Sequence, residues 1–487
     1  MTYELTVIPA LLLTTIVFLN LYFCHERFHD VRITIVGVLL CIQILFQITF
    51  PAFYGFLEGY PWESYYQILP EHYVIVYIIE LLSVSFWLIG FYAFRPFYRK
   101  LSKWSIIHRP PSGIVDNLLF LYVILFALIM MISLSSGLSS YGDMVAYDAQ
   151  NLGENVMLFP TSITIPKTIW VIVKSLFFLP GILAGGILAS RPMPGRSRYR
   201  LIGWAIIIFL LVYGLVVGLR QFILGAVLIL FIFGFSQGNR RVLKPMAVGL
   251  VILVLLAPVI GSEYREALTK PEAREWGMMK RLSFVYQMRS MQEKGNFIGD
   301  FWHAAGSRLI DPLVSAGLVK ATLRGESAGL KPLFSSFVAP IPRFLWPNKP
   351  APGSSDGTNE GLATFVVWRE TIGRTWGLCG GFTTGSHAFW ELNIIGVVLF
   401  GIFGGLFARS ILEATRHAGD IGLMIWVLSM KPFAFSVHLW TPEIIRIGLQ
   451  IILPVIIIYK CWSWLLKKRC ETIGRPTGYE YSDGRSL

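Results

Sequence analysis

The chain has 487 residues, of which 54% are hydrophobic and only 15% are charged. Soluble domains carry about a quarter charged residues, so this composition excludes a soluble, disordered or fibrous protein. The apolar residues lie in continuous blocks of about 20, the length that crosses the hydrocarbon core of a bilayer. The sequence therefore predicts an all-α polytopic membrane protein.

Eleven blocks are predicted as transmembrane helices, at residues 5–23, 33–55, 73–94, 115–135, 168–189, 201–218, 221–236, 245–261, 388–408, 421–437 and 444–465. Their connections alternate in charge. Lys and Arg are abundant in loops 24–32, 95–114, 190–200 and 237–244, in 409–420 and in the tail after 466, whereas Asp and Glu dominate loops 56–72 and 136–167. Short basic loops stay in the cytoplasm, which places the N-terminus outside and the C-terminus inside. The net charge of +13 is then an orientation signal, and no nucleic-acid partner is expected.

This topology divides the chain into four parts. Residues 1–261 hold the first eight predicted spans, 262–387 form one large periplasmic segment, 388–466 hold the last three spans, and 467–487 are a cytoplasmic tail. The large segment contains two amphipathic helical candidates, at 263–294 and 302–323, followed by a Pro/Trp-rich stretch. A connection of this length between two membrane spans more often has a function than serves as a simple linker.

Several motifs of common chemistries are absent from the sequence. It contains no phosphate-binding Walker A loop and no D-x-D pair of the kind that holds a metal and a nucleotide diphosphate. No Cys/His spacing resembles a zinc site. The sequence therefore predicts neither a metal nor a cofactor.

Three ionisable residues lie inside predicted spans: Glu80, Lys174 and Lys431. Inserting one charged side chain at the centre of a membrane helix costs about 2.5–3.5 kcal/mol. Such side chains therefore usually face a partner or a cavity. Two interpretations stay open. The three residues form a structural Glu–Lys pairing, or they line a polar cavity that opens to the outside.

Basic residues also collect at the predicted outer face. Arg220 lies in a tight hairpin, Arg343 and Lys349 lie in the stretch from Pro340 to Pro350, and Arg446 begins the last span. A single Arg at this depth is usually an interfacial anchor. Several together suit a diphosphate, because guanidinium binds phosphate oxygens bidentately and stays charged. The four prolines of the stretch exclude a helix through 340–350.

These residues resemble a known family. The pattern P-x-P-R-x-x-W-P-x-K-P over Pro340–Pro350 is similar to the signature of Wzy-type oligosaccharide repeat-unit polymerases, which include O-antigen polymerases. Weaker similarities are the Gly218-Leu219-Arg220 hairpin, in which Leu replaces a hydroxyl residue, Arg308 with Asp311, the segment from Gly385 to Gly405, and Glu443 with Arg446. The resemblance covers roughly residues 201–450.

The resemblance implies a bacterial inner-membrane glycosyltransferase with a fold similar to the GT-C class. Its donor and acceptor would be undecaprenyl-pyrophosphate-linked oligosaccharides at the periplasmic face, and its pathway partners a flippase and a chain-length regulator. We expect Arg220, Arg343 and Lys349 to hold the diphosphate, with Arg308 and Arg446 as second candidates.

An acceptor hydroxyl needs a general base, and His387 is the predicted one, because imidazole titrates near neutral pH. Glu391 lies one helical turn further on, where it would orient His387 or act as the base itself. The alternative for His387 is a structural role; related lipopolysaccharide ligases use a periplasmic His in the catalytic way.

Three other functions remain open. A ligase that transfers finished glycan would share the fold and the cations. A lipid-linked oligosaccharide flippase or secondary transporter would instead use Glu80, Lys174 and Lys431, although the sequence shows no inverted repeat. An accessory scaffold without chemistry is the third.

Overall fold

The computed structural model describes part of the chain. The described residues are 4–28, 31–58, 68–94, 96–98, 100, 112–135, 155–158, 163–191, 197–217, 220–238, 248, 283, 310–331, 346, 366, 370, 383–429, 448 and 452–472. These residues are almost entirely helical.

Twelve α-helices and one β-hairpin make up the described fold. In chain order the helices are α1 (Glu4–Phe28), α2 (Val31–Ile44), α3 (Phe50–Glu58), α4 (Pro70–Ala93), α5 (Ser112–Ser135), α6 (Lys167–Ser190), α7 (Ser197–Val217), α8 (Arg220–Ser236), α9 (Ile310–Leu323), α10 (Thr384–Ala414), α11 (Gly419–Ser429) and α12 (Leu453–Thr472). A π-helical turn, Leu45–Thr49, joins α2 to α3. Strands β1 (Asn155–Leu158) and β2 (Ile163–Pro166) pair antiparallel ahead of α6, with Asn155 opposite Pro166.

Four stretches among the described residues are long and apolar enough to cross a membrane: Leu5–Phe23, Arg32–Leu57, Pro70–Ala93 and Thr384–Ala414. Their apolar residues form a shared buried core and also leave large side chains such as Leu12 and Phe403 exposed, as lipid-facing helices do. The chain is therefore described as a helical membrane protein. Shorter apolar helices lie at other predicted spans, and the predicted span 245–261 lies outside the described residues.

Among the described helices, α4 and α10 form the most extensive pair, and glycines allow their close approach. A Cβ added at Gly405 would lie 2.0 Å from the carbonyl oxygen of Trp87, and one at Gly90 would lie 2.1 Å from that of Ile402. Small residues at such a crossing let two helix backbones pack closely. Close packing is important in lipid, because the hydrophobic effect does not drive helices together there.

The ends of α5, α6 and α11 meet in a partly buried ion-pair cluster. Arg191, just after α6, pairs with Asp116 at the start of α5 and with Asp420 in the first turn of α11. Its Nε donates to Asp420 Oδ2 at 3.1 Å. These three helix ends therefore lie on one face of the bundle, and they adjoin loops that the charge pattern assigns to the same side of the membrane.

Helix α9 lies within the stretch 302–323 that the sequence predicts as an amphipathic helix. It packs on α4 and α10, and its residues 312–322 are all buried. The helix is thus covered on every side over this stretch, rather than exposing one polar face.

Candidate functional site

The helix α10 is broken in its first third. Leu392 has φ −133° and ψ 26°, and Asn393 has φ 54° and ψ −147°. The Asn393 conformation is almost restricted to glycine and costs about 1–3 kcal/mol, so it persists only where the surroundings fix it. The break divides α10 into a first half, residues 384–391, and a second half, residues 394–414.

The two halves of α10 meet at a sharp angle. A Cβ added at Gly396 would lie 2.2 Å from the carbonyl oxygen of Ala388, although eight residues of straight helix would separate them by about 12 Å. Gly385 approaches α4 at Glu80, and Gly401 approaches it at Phe86, only six residues further along α4. The first half therefore runs across α4, and the second half runs beside it.

His387 and Glu391 lie together on the first half of α10. The His387 Nδ1 atom is 3.3 Å from Glu391 Oε1, and the two side chains are 5% and 0% exposed. The indole ring of Trp390 meets the imidazole edge to face, with centroids 5.3 Å apart and planes at 89°. The i, i+4 spacing predicted from the sequence thus brings the carboxylate onto one imidazole nitrogen. Hereafter we call this pair the dyad.

A polar network surrounds the N-terminal end of the first half. The backbone N–H of Ser386 donates to Glu80 Oε1 at 3.1 Å. The backbone N–H of Thr383 donates to Ser315 Oγ at 3.0 Å, and the hydroxyls of Thr383 and Ser386 lie 2.8 Å apart. All of these groups are buried, and they join α4, α9 and α10.

The C-terminal end of the first half is held by the turn after α9. Ser327 Oγ donates to the carbonyl oxygen of Glu391 at 2.6 Å, and the backbone N–H of Ala328 donates to that of Trp390 at 3.1 Å. A helix break leaves carbonyls without intrahelical partners. The turn supplies donors at that place.

A small cavity adjoins Glu80 on the side of the π-helical turn. Its polar lining comes from Gln43, Gln47, Glu80, Ser83, Thr383 and Thr384. Single π turns within α-helices are frequent at functional sites. Glu80 therefore lines this small cavity, whereas the two sequence interpretations of Glu80 with Lys174 and Lys431 stay predictions. The Glu80 carboxylate accepts a hydrogen bond from the α10 backbone. The backbone of Lys174 lies in α6, and Lys431 lies outside the described residues.

A second ionic group lies at the C-terminal end of α9. Lys320 Nζ donates to the backbone oxygen of Glu370 at 2.9 Å and lies 3.7 Å from its carboxylate, with side chains 6% and 4% exposed. Arg324 Nη1 donates to the same carboxylate at 2.8 Å and is 58% exposed. Burial lowers the pKa of the Lys320 ammonium below its ordinary value, and the Glu370 carboxylate opposes this lowering.

The structure describes only some of the predicted site residues. The dyad residues His387 and Glu391 are in contact, and Arg220 is the first residue of α8, with its side chain outside the description. The other predicted cations, Arg308, Arg343, Lys349 and Arg446, lie outside the described residues.

Sequence reasoning missed the groups that hold the dyad in place, namely Ser315, Ser327, Thr383 and Ser386. Isolated hydroxyl residues carry no local signal of a shared network. Over the part of the chain with assigned positions, no three His, Cys, Asp or Glu side chains are grouped as metal ligands would be.

Comparison with known proteins gives one partial match. A family described as a domain of unknown function (DUF8712) matches residues 149–355, which is less than half of the chain. The matched stretch includes Arg220, Arg308, Arg343 and Lys349 and ends before the dyad. No curated protein and no solved structure matches the chain.

Proposed function

We propose that the protein is a membrane glycosyltransferase that joins lipid-linked oligosaccharide repeat units. The observation that carries the proposal is the dyad: a buried His–Glu pair held at the break of a discontinuous helix in a membrane bundle. A base whose orientation is set by a carboxylate is the arrangement that activates a hydroxyl group. The similarity of Pro340–Pro350 to the polymerase signature supports this chemistry over other uses of a His–Glu pair.

In the proposed reaction His387 accepts the proton of an acceptor sugar hydroxyl. Its Nδ1 faces Glu391 at 3.3 Å, and the proposed reaction therefore assigns the proton transfer to Nε2. The hydroxyl oxygen bonds to the anomeric carbon of the donor chain while the bond from that carbon to the diphosphate breaks. Undecaprenyl pyrophosphate leaves, and Glu391 stabilises the imidazolium that forms.

The predicted cations would stabilise the leaving diphosphate. Arg220, Arg343 and Lys349 are the first candidates, and Arg308 and Arg446 are the second. Guanidinium and ammonium groups offset the charge that develops on a leaving diphosphate without a metal. The proposal includes a GT-C-like fold of about eleven transmembrane helices in a bacterial inner membrane, with a periplasmic N-terminus and a cytoplasmic C-terminus. A flippase and a chain-length regulator would be its pathway partners.

The dyad is closed off by the surrounding helices. His387 and Glu391 are buried under α9, the turn after it and Trp390. An acceptor sugar therefore reaches Nε2 only when this cover moves. The proposal accordingly expects substrate binding to displace the turn that holds the end of the first half of α10.

A transporter is the second candidate, and a specific observation favours it. Discontinuous membrane helices and buried carboxylates beside polar cavities are typical of ion and substrate pathways in secondary transporters. Here the broken helix α10, Glu80 and the small cavity lie together. The transported molecule would be the same lipid-linked oligosaccharide.

Deletion of the gene in its host, followed by electrophoresis of the surface glycan, separates these functions. Loss of long chains with single repeat units still attached supports the polymerase. Loss of all glycan indicates a ligase or a flippase instead. Complementation with Arg343→Ala is expected to leave single units only, whereas normal chain lengths would contradict the diphosphate assignment.

A further inference from the structure

Glu80 belongs to α4, but its carboxylate lies at the N-terminal end of the first half of α10. It accepts the backbone N–H of Ser386 at 3.1 Å. We propose that Glu80 is a positioning residue for His387, acting as a cap supplied by a neighbouring helix. The inference rests on the proposed function and extends the site to α4.

The N-terminal end of a helix needs such a cap. The first N–H groups of a helix have no intrahelical partners, and inside a membrane there is little water to replace them. Thr383 precedes α10 in the position where a hydroxyl often caps the helix, yet its side chain makes no capping bond. Its hydroxyl interacts with Ser315 and Ser386 instead. The side-chain oxygen of Glu80 satisfies this end because it accepts a backbone N–H that has no intrahelical partner.

The cap acts on the residue next to the base. Ser386 immediately precedes His387, so movement of its N–H moves the imidazole. At the other end of the same half-helix, Ser327 and Ala328 hold the carbonyls of Glu391 and Trp390. The half-helix that carries the dyad is therefore fixed at both ends by groups from other elements.

Gly385 shows how closely the cap is fitted. A Cβ added there would lie 2.7 Å from Glu80 Oε1 and 2.8 Å from Ile79 Cγ2. A side chain at this position would push the carboxylate away from the end of α10. Gly385→Ala therefore disturbs the same contact from the opposite side, without changing Glu80.

The alternative is that Glu80 acts through its charge, as a proton or ion carrier would. The two roles differ in what Glu80→Gln does. Glutamine keeps an oxygen that accepts the Ser386 N–H but carries no charge. Glu80→Leu removes both, and Glu71→Gln removes an exposed charge from the first turn of the same helix as a matched control.

Hydrogen–deuterium exchange of the purified full chain in lipid nanodiscs tests the cap directly. We expect the amides of 384–391 to exchange about tenfold faster or more in Glu80→Leu and Gly385→Ala, and at the wild-type rate in Glu80→Gln and Glu71→Gln. Wild-type protection in both Glu80→Leu and Gly385→Ala would overturn the proposal. The exchange measurement does not depend on any enzymatic activity, so its result tests the cap separately from the proposed function.

Steady-state kinetics with lipid-linked oligosaccharide provide the second test of the positioning role. In Glu80→Leu we expect kcat to fall about tenfold or more with KM unchanged, because an orientation effect acts on the chemical step. Glu80→Gln should restore at least half of the wild-type kcat. Loss of activity in Glu80→Gln with wild-type exchange would overturn the positioning role in favour of a charge role.

Discussion

Ser327 Oγ lies 2.6 Å from the backbone carbonyl oxygen of Glu391 and donates a hydrogen bond to it. Ser327 is in the turn after α9, and Glu391 is the last residue before the break in α10. The bond therefore joins the large predicted periplasmic segment to the half-helix that carries the dyad. It places a donor where the break leaves the carbonyl without an intrahelical partner.

Removal of this donor should weaken the protein measurably. Ser327→Ala is expected to lower the free energy of unfolding by about 1–3 kcal/mol, because a buried carbonyl loses its partner. The midpoint of thermal unfolding in detergent measures the change. Ser410→Ala is the matched control, since the Ser410 hydroxyl donates to the Leu406 carbonyl within its own helix. Equal midpoints in the two variants would contradict the assigned role.

The α4–α10 crossing should tolerate no side chain at Gly405. Gly405→Ala places a Cβ 2.0 Å from the Trp87 carbonyl oxygen and is expected to cost about 3 kcal/mol or more. At Gly37 an added Cβ lies 3.0 Å from the movable end of Leu21, so Gly37→Ala is the control and should change little. The yield of folded protein and the midpoint of its thermal unfolding measure this destabilisation. A stable Gly405→Ala protein would show that the helices pack less closely.

The two cations that pair with Glu370 should contribute unequally to the free energy of unfolding. Glu370→Gln leaves the buried Lys320 ammonium without its carboxylate and should cost about 3 kcal/mol. Arg324→Gln removes the exposed partner and should cost at most about 1 kcal/mol. Lys320→Met added to Glu370→Gln should recover most of the loss. Chemical unfolding of the four proteins checks this order, and no recovery in the double variant would contradict it.

Glu391 is expected to act through His387. Glu391→Gln keeps the size of the side chain but no longer stabilises an imidazolium, so kcat for chain extension should fall about 100-fold or more. Glu413→Gln is a control on the same helix, because Glu413 pairs with Arg409 far from the dyad. If extension persists at the wild-type rate in Glu391→Gln, Glu391 neither orients the base nor serves as one.

Some of this architecture follows from the sequence because its causes are local. Runs of apolar residues predict the long helices, and a single Glu in such a run marks Glu80 as a special residue. The spacing of four residues predicts that His387 and Glu391 share a helix face. The predicted pairing of Glu80 with an intramembrane lysine stays untested, because the side chains of Lys174 and Lys431 lie outside the described residues.

Other features depend on contacts between distant parts of the chain. The break at Asn393 lies inside the predicted span 388–408, beside the polar Glu391 and without Gly or Pro at the break itself, so the hydrophobic pattern does not predict it. The turn that stabilises it, Ser327–Ala328, lies more than sixty residues earlier. Lys320 and Glu370 are fifty residues apart and meet only in the folded chain. Such pairs become visible only with the tertiary structure.

Under the proposed function, the dyad performs glycosyl transfer between lipid-linked oligosaccharides. The most direct test is purified protein in liposomes supplied with one undecaprenyl-pyrophosphate-linked repeat unit, with products separated by size. We predict a ladder of products and release of undecaprenyl pyrophosphate with the wild-type chain, and a loss of both by at least about 100-fold in His387→Gln. A wild-type ladder from His387→Gln, or movement of the lipid-linked unit across the bilayer without any joining, would contradict the claim.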